Sequence, residues 1–265
     1  MSHWLKFVGS GGLGAAVLFG AIEAAAAPIV DSWSYTLNNA FIDLDQAVIG
    51  SGSNPTIGGA TRIEWPIGHD GERSALEVER DSLGVVSGTV TTNGGMAPGP
   101  DLHHINNPIP IEGFSISGRL AVQAVLRPSD SALGGPTGPF EFLIDFSFME
   151  TPNTEPCGFE SQSACDDIFL LVGTSGTTHA FTYLGETYTL RFGSERLAAL
   201  SPEQCAAGGG QAGCIGFLTQ EGGTTAFDTF ISVTRATPVA EPGPVATLGA
   251  GLIALGLIGR RGRAH

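Results

Sequence analysis

Apolar and polar residues alternate along much of this chain with the two-residue period of a strand that buries one face. The clearest run is Phe140, Phe142, Ile144, Phe146 and Phe148, between which Glu141 and Asp145 face the other way. Comparable runs predict strands over Trp33 to Leu37, Thr61 to Trp65, Ser74 to Arg80, Val85 to Thr92, Phe114 to Leu126, Ile168 to Val172, Ala180 to Leu184, Thr187 to Phe192, Ile215 to Thr219 and Ala226 to Thr234. Gly and Pro clusters at Gly50 to Gly59, Gly94 to Pro100 and Ser129 to Pro139 punctuate these runs as loops. A helical pattern is confined to Ser194 to Gln204. Many short strands between turn signals predict an all-β domain, a jelly-roll-like β-sandwich rather than a βαβ fold. The chain shows neither an internal repeat nor a heptad, which removes support from solenoid and filament readings.

The two ends do not follow the strand pattern. His3 and Lys6 precede an apolar run from Gly11 to Ile22, and small residues Ala25, Ala26 and Ala27 follow it. That is the layout of a secretory signal peptide over residues 1–27, and it predicts export of everything beyond about Pro28. At the other end Val239, Ala240, Glu241 and Pro242 precede 17 uncharged residues, Gly243 to Gly259, and then Arg260, Arg261 and Arg263. At about 1.5 Å per residue that stretch reaches roughly 25 Å, the short limit for one transmembrane helix. The positive-inside rule leaves the arginines cytoplasmic. The expected organisation is a signal peptide (1–27), a β-sandwich domain (28–236) and a sorting tail (237–265) with its helix at 243–259 and a basic end at 260–265.

Charge narrows the functional classes. The chain carries 12 Lys and Arg against 26 Asp and Glu, a formal net charge of -14. Between Pro28 and Pro238 there are 8 arginines, no lysine and 24 acids, a formal charge of -16. Nucleic acid is excluded as a partner, because neutralising phosphates requires clustered cations. The missing lysine also excludes P-loop, Schiff-base and Ser/Lys chemistry in the exported body. A 42% apolar content is too high for a disordered acidic tail.

Four cysteines in an exported chain permit three disulfide connectivities. Cys157 with Cys165, and Cys205 with Cys214, is the preferred pairing, because each pair brackets a polar or Gly-rich loop. A centre built from all four thiolates is the competing reading, but spacings of eight and nine residues do not match zinc knuckles. His104 with Glu150, or with Asp166 and Asp167, could form a general acid/base couple if the fold assembled them. The blander expectation is that His104, beside Asn106, Asn107 and Pro108, holds a loop through backbone hydrogen bonds. No motif calls for a cofactor. Calcium would suit the oxygen donors of Asp43 with Asp45, Asp166 with Asp167, and Glu150 with Asn153, although a solvated acidic surface explains them too.

Two features carry a resemblance to known families. The Val239 to Pro242 signature, the short hydrophobic segment and the basic end together resemble the PEP-CTERM sorting signal of exported Gram-negative proteins, with Ala240 where the family usually has proline. The resemblance implies recognition by an exosortase at the inner membrane and delivery to the cell surface or extracellular matrix. His103, His104, Ile105, Asn106, Asn107, Pro108 and Ile109, together with Phe148 to Asn153, with Cys165, Asp167, Ile168 and Phe169, with Tyr183, Gly185 and Tyr188, and with Cys205, Cys214, Gly216, Thr219 and Glu221, resemble PEP-CTERM proteins named for a Thr-His-x-Asn motif. His104 and Asn106 match that motif, and His103 stands in place of its threonine. The resemblance implies a location and an architecture rather than a reaction. The function expected is that of a non-enzymatic protein of the surface or the exopolysaccharide matrix. The alternatives are a carbohydrate-binding module using Trp33, Trp65 or Tyr183, and, less favoured, a hydrolase.

Overall fold

The structure is a computed structural model that describes residues 27–45, 48–66, 71–78, 83–109, 113–173 and 177–236. In chain order its strands are β1 (Ser32–Ile42), β2 (Ile49–Ser51), β3 (Arg62–Trp65), β4 (Ser74–Val78), β5 (Val85–Thr91), β6 (Ala97–Pro98), β7 (Leu102–Asn106) and β8 (Phe114–Pro128). The second half adds β9 (Thr137–Glu150), β10 (Asp167–Leu171), β11 (Thr178–Tyr183), β12 (Glu186–Ser194), β13 (Ala198–Ala199), β14 (Ile215–Thr219), β15 (Gly223–Phe227) and β16 (Thr229–Arg235), with one short helix, α1 (Pro202–Ala207). The described chain is all-β in class, and its strands pair antiparallel into three sheets. These are a seven-stranded sheet in the order β13-β14-β10-β9-β8-β1-β5, a four-stranded sheet β11-β12-β16-β6 and a five-stranded sheet β15-β7-β4-β3-β2.

The predicted alternation in β9 sets how the sheets pack. Phe140 and Phe142 meet Phe181, His179 and Phe192 of the four-stranded sheet, while Phe148, further along the same face, meets Trp65 and His104 of the five-stranded sheet. One face of the seven-stranded sheet is thus covered by two smaller sheets laid along it, and the apolar core fills the space between. At one end Trp33 meets the edges of Phe181, Tyr183 and Tyr188. Such edge-to-face aromatic contacts add to the burial of the rings themselves.

Several elements depart from the expected boundaries. β9 runs two residues beyond Phe148 and ends on an inward Glu150, a charged residue that reads as the end of an apolar run. β7 was expected as a loop because Leu102-His103-His104-Ile105-Asn106 has no apolar alternation. β6 lies inside the stretch expected as a loop at Gly94 to Pro100, and β2 runs into the one at Gly50 to Gly59. The run at Ala226 to Thr234 divides into β15 and β16 about Asp228. The expected helix over Ser194 to Gln204 shrinks to α1 alone, because β12 and β13 claim its first half; Ser201 and Gln204 form a capping box and Pro202 opens the helix.

Both expected disulfides are present. Cys157–Cys165 and Cys205–Cys214 join Cα atoms 5.2 and 5.8 Å apart, so the four-thiolate centre does not form. The expected signal peptide (1–27, of which residue 27 alone is described) and the expected sorting tail with Val239, Ala240, Glu241, Pro242, Arg260, Arg261 and Arg263 lie outside the described residues. Among the described residues no helix is long and apolar enough to cross a membrane.

Candidate functional site: a polar row sealed between the layers

Three neighbouring strands of the large sheet make the same change from aromatic to polar at the same level. On the inner face, Phe169 of β10 pairs with Phe148 of β9 and with Phe217 of β14. Two residues further on, Asp167 pairs with Thr219, and the β9–β10 register places Glu150 on the other side of Asp167. A row Glu150-Asp167-Thr219 therefore lies directly beside a row of phenylalanines, in which the Phe169 and Phe217 rings stack 4.6 Å apart. The five-stranded sheet supplies the opposite wall. His104 and Asn106 point inward from β7 and Trp65 from β3, and all six residues are completely buried.

Each polar side chain is held through one of its atoms. His104 Nδ1 lies 2.7 Å from Thr219 Oγ1, and its ring stacks on Trp65 and meets the edge of Phe148. Trp65 Nε1 donates to Glu150 Oε2 at 2.7 Å. The Thr151 backbone N–H donates to Asp167 Oδ1 at 2.8 Å, and the Thr151 hydroxyl donates to the Cys165 carbonyl, which ties the disulfide loop to the row. Asn106 Nδ2 donates to the Gln220 carbonyl and to Glu221 Oε1. With its amide nitrogen turned to the carboxylate, Asn153 donates to both Glu221 oxygens at 2.8 Å.

One further atom of each of four groups has no partner. His104 Nε2, Glu150 Oε1, Asp167 Oδ2 and Asn106 Oδ1 are buried with no hydrogen-bond partner. His104 Nε2 is 3.8 Å from Asp167 Oδ2, and one ligand atom each from His104, Glu150 and Asp167 fall within 4.8 Å of one another. Burial lowers the His104 pKa to about 3, so the ring is neutral. Burial, reinforced by the charge of Glu150, raises Asp167 to about 9, and burial raises Glu150 to about 8 against the opposing Trp65 hydrogen bond. Glu221, half-buried, rises to about 6, again chiefly by desolvation. Two carboxylates this close and this deeply buried disfavour a double negative charge.

The expected site residues are distributed as follows. His104, Glu150 and Asp167 do come together, as the acid/base expectation required, but without exposed surface through which a substrate could touch them in this conformation. The loop role expected of His104 is replaced by a core position in a strand. His103, one residue earlier, is on the other face of β7 and 7% exposed. Asn107 carries the holding role, since its Nδ2 donates to the Arg73 carbonyl and its backbone N–H donates to Ser74 Oγ; Pro108 is exposed.

None of the expected calcium pairs is assembled as a shared site. Asp43 engages Arg119 at 3.0 Å, while Asp45 accepts from the Ser117 N–H at 2.8 Å and from its hydroxyl. Asp166 closes its own turn by accepting from the Gln162 and Ser163 N–H groups, and Asn153 turns to Glu221 rather than to Glu150. Trp33 and Trp65 are fully buried core residues and offer no stacking platform for a sugar; half-buried Tyr183 donates its hydroxyl to the Gly135 carbonyl.

Sequence reasoning did not assign Trp65 and Thr219 as hydrogen-bonding partners of the buried row. The available signal was the two-residue period itself, since Thr219 follows Phe217, and Glu150 follows Phe148, on the face already assigned to the core. No protein-family model matches this chain, and no curated protein matches it significantly by sequence.

Proposed function

We propose that this is an exported, non-enzymatic protein of the cell surface or exopolysaccharide matrix of a Gram-negative bacterium. Its body over residues 28–236 is read as a disulfide-pinned, jelly-roll-like β-sandwich, delivered by the signal at 1–27. The tail at 237–265, with its helix at 243–259, tethers it in the inner membrane until an exosortase acts on the Glu241-Pro242 signature. The observation that carries the reading is the pairing of all four cysteines into two disulfides, the state of a protein that matures in an oxidising compartment. The burial of His104 and Asn106 supports a structural role for the Thr-His-x-Asn-like motif. The exported body's formal charge of -16 suits a soluble surface protein that repels its own copies.

Fractionation of the native cells tests the proposal. The protein is expected in the surface or matrix fraction with both disulfides formed. Accumulation in the cytoplasm with four free thiols would contradict it.

A further inference from the structure

The three buried ligand-bearing side chains share a pattern that hydrogen bonding alone does not require. Each has two polar side-chain atoms, one hydrogen-bonded and the other buried without a partner. His104 uses Nδ1 on Thr219 and leaves Nε2; Glu150 uses Oε2 on Trp65 and leaves Oε1; Asp167 uses Oδ1 on the Thr151 N–H and leaves Oδ2. Two of the free atoms, His104 Nε2 and Asp167 Oδ2, lie 3.8 Å apart, and a ligand atom from each of the three residues falls within 4.8 Å of the others. Partners that orient a ring and two carboxylates through one atom each, leaving the other atom of each unpartnered, are the arrangement of a metal site with its supporting shell, and with Nδ1–H donating to Thr219 Oγ1 the lone pair of His104 lies on Nε2. We propose that His104 Nε2, Glu150 Oε1 and Asp167 Oδ2 bind one divalent first-row transition ion, zinc(II) by preference, between the two layers.

The donor set decides among cations. Calcium takes six to eight oxygens and magnesium an octahedron rich in water, whereas this closed space offers a nitrogen and two carboxylates. A mixed nitrogen and oxygen set with few ligands suits zinc, whose bonds of about 2.0–2.2 Å to these atoms place tetrahedral ligands roughly 3.3–3.6 Å apart. The His104 to Asp167 separation of 3.8 Å is already close to that spacing. Two carboxylates, a neutral imidazole and one divalent ion sum to zero charge, which a sealed apolar surrounding favours. Asn106, with its own free Oδ1 one inward position further along β7, stands beside the set. The ion would join β7 of one layer to β9 and β10 of the other, a structural role that needs no route for substrate.

The competing occupant is a proton shared by Glu150 and Asp167, and metal loading separates the two. The full chain, with its disulfides intact, is unfolded in chelator and refolded with zinc(II), cobalt(II), calcium or no ion. Metal content after gel filtration, thermal unfolding and the visible spectrum of the cobalt form are then measured. The expected result is one zinc per chain, a melting temperature above that of the metal-free chain, an intense low-coordination cobalt spectrum, and loss of the bound ion in Asp167→Asn. Equal melting temperatures with and without zinc, stabilisation by calcium alone, or zinc retained undiminished in Asp167→Asn would overturn the proposal. If that variant does not fold, the wild-type cobalt form decides: a spectrum no different from the ion in buffer would overturn it.

Discussion

His104 depends on a single hydroxyl for its orientation, because Thr219 Oγ1 lies against its Nδ1 and the Trp65 ring covers its face. Thr219→Val keeps the shape and removes that partner. Leaving a buried ring nitrogen unpaired costs about 1–3 kcal/mol, so equilibrium unfolding in urea should show a loss of that size, and an unchanged midpoint would remove Thr219 from the account. The buried carboxyls also set a pH dependence. In the metal-free chain burial holds the Glu150 and Asp167 carboxyls well above the ordinary carboxylate range, so near neutral pH the folded state holds protons that the unfolded chain has already released. Their contribution to stability is fully present below the ordinary carboxylate range and is lost as pH rises through the raised range of the folded state. His104 works the other way below 6.5, since the unfolded chain takes up a proton that the buried ring refuses. Glu221 and Asp166 are the other acids bordering the row, and Glu221 has already ionised above about 6. The melting temperature of the chelated protein should therefore fall between about pH 6.5 and pH 9; a flat or rising profile would contradict the buried-carboxyl picture.

At the scale of elements, the two disulfides pin the segments that flank the polar row. Cys157–Cys165 closes a short loop within the connection from β9 to β10, between Thr151 and Asp166, while Cys205–Cys214 ties α1 to the start of β14. Closing a loop of this length contributes about 2–3 kcal/mol. Cys205→Ser with Cys214→Ser should lower stability by about that amount, read as a shifted denaturant midpoint, without altering the strand content seen by circular dichroism; loss of the strand signal would show that the bridge is required to fold. Both disulfides were legible from spacing, because short loops rich in turn residues leave cysteines eight or nine positions apart in reach of each other. β9 was legible because its inner face is almost uninterrupted phenylalanine. β7 was not, because its inward residues after Leu102 are His104 and Asn106, and a strand with a polar inner face has no alternation to detect. The Glu150-Asp167-Thr219 row was hidden for a related reason. Each residue is a single polar position at the end of an apolar run, and its neighbours come from strands 17 to 69 residues apart in sequence. Sheet order, such as β1 lying between β5 and β8, depends on long-range pairing that local pattern does not encode.

At the scale of the whole molecule, an acidic, disulfide-bonded, all-β body lies between two end segments to which the proposed function gives the routing role. The few cations of the ends, Lys6 and the arginines at 260, 261 and 263, are set apart from a body whose strong cations are all arginine. The seven-stranded sheet and its two covering sheets bury a continuous aromatic core, and the polar row interrupts that core where β7 meets β9, β10 and β14. The most direct test of export and sorting is the intact mass of the mature protein purified from its native cell. The account predicts a chain that starts near Pro28, ends near Glu241 and carries four fewer hydrogens than the fully reduced form. A mass corresponding to Met1 through His265 with four free thiols would contradict it.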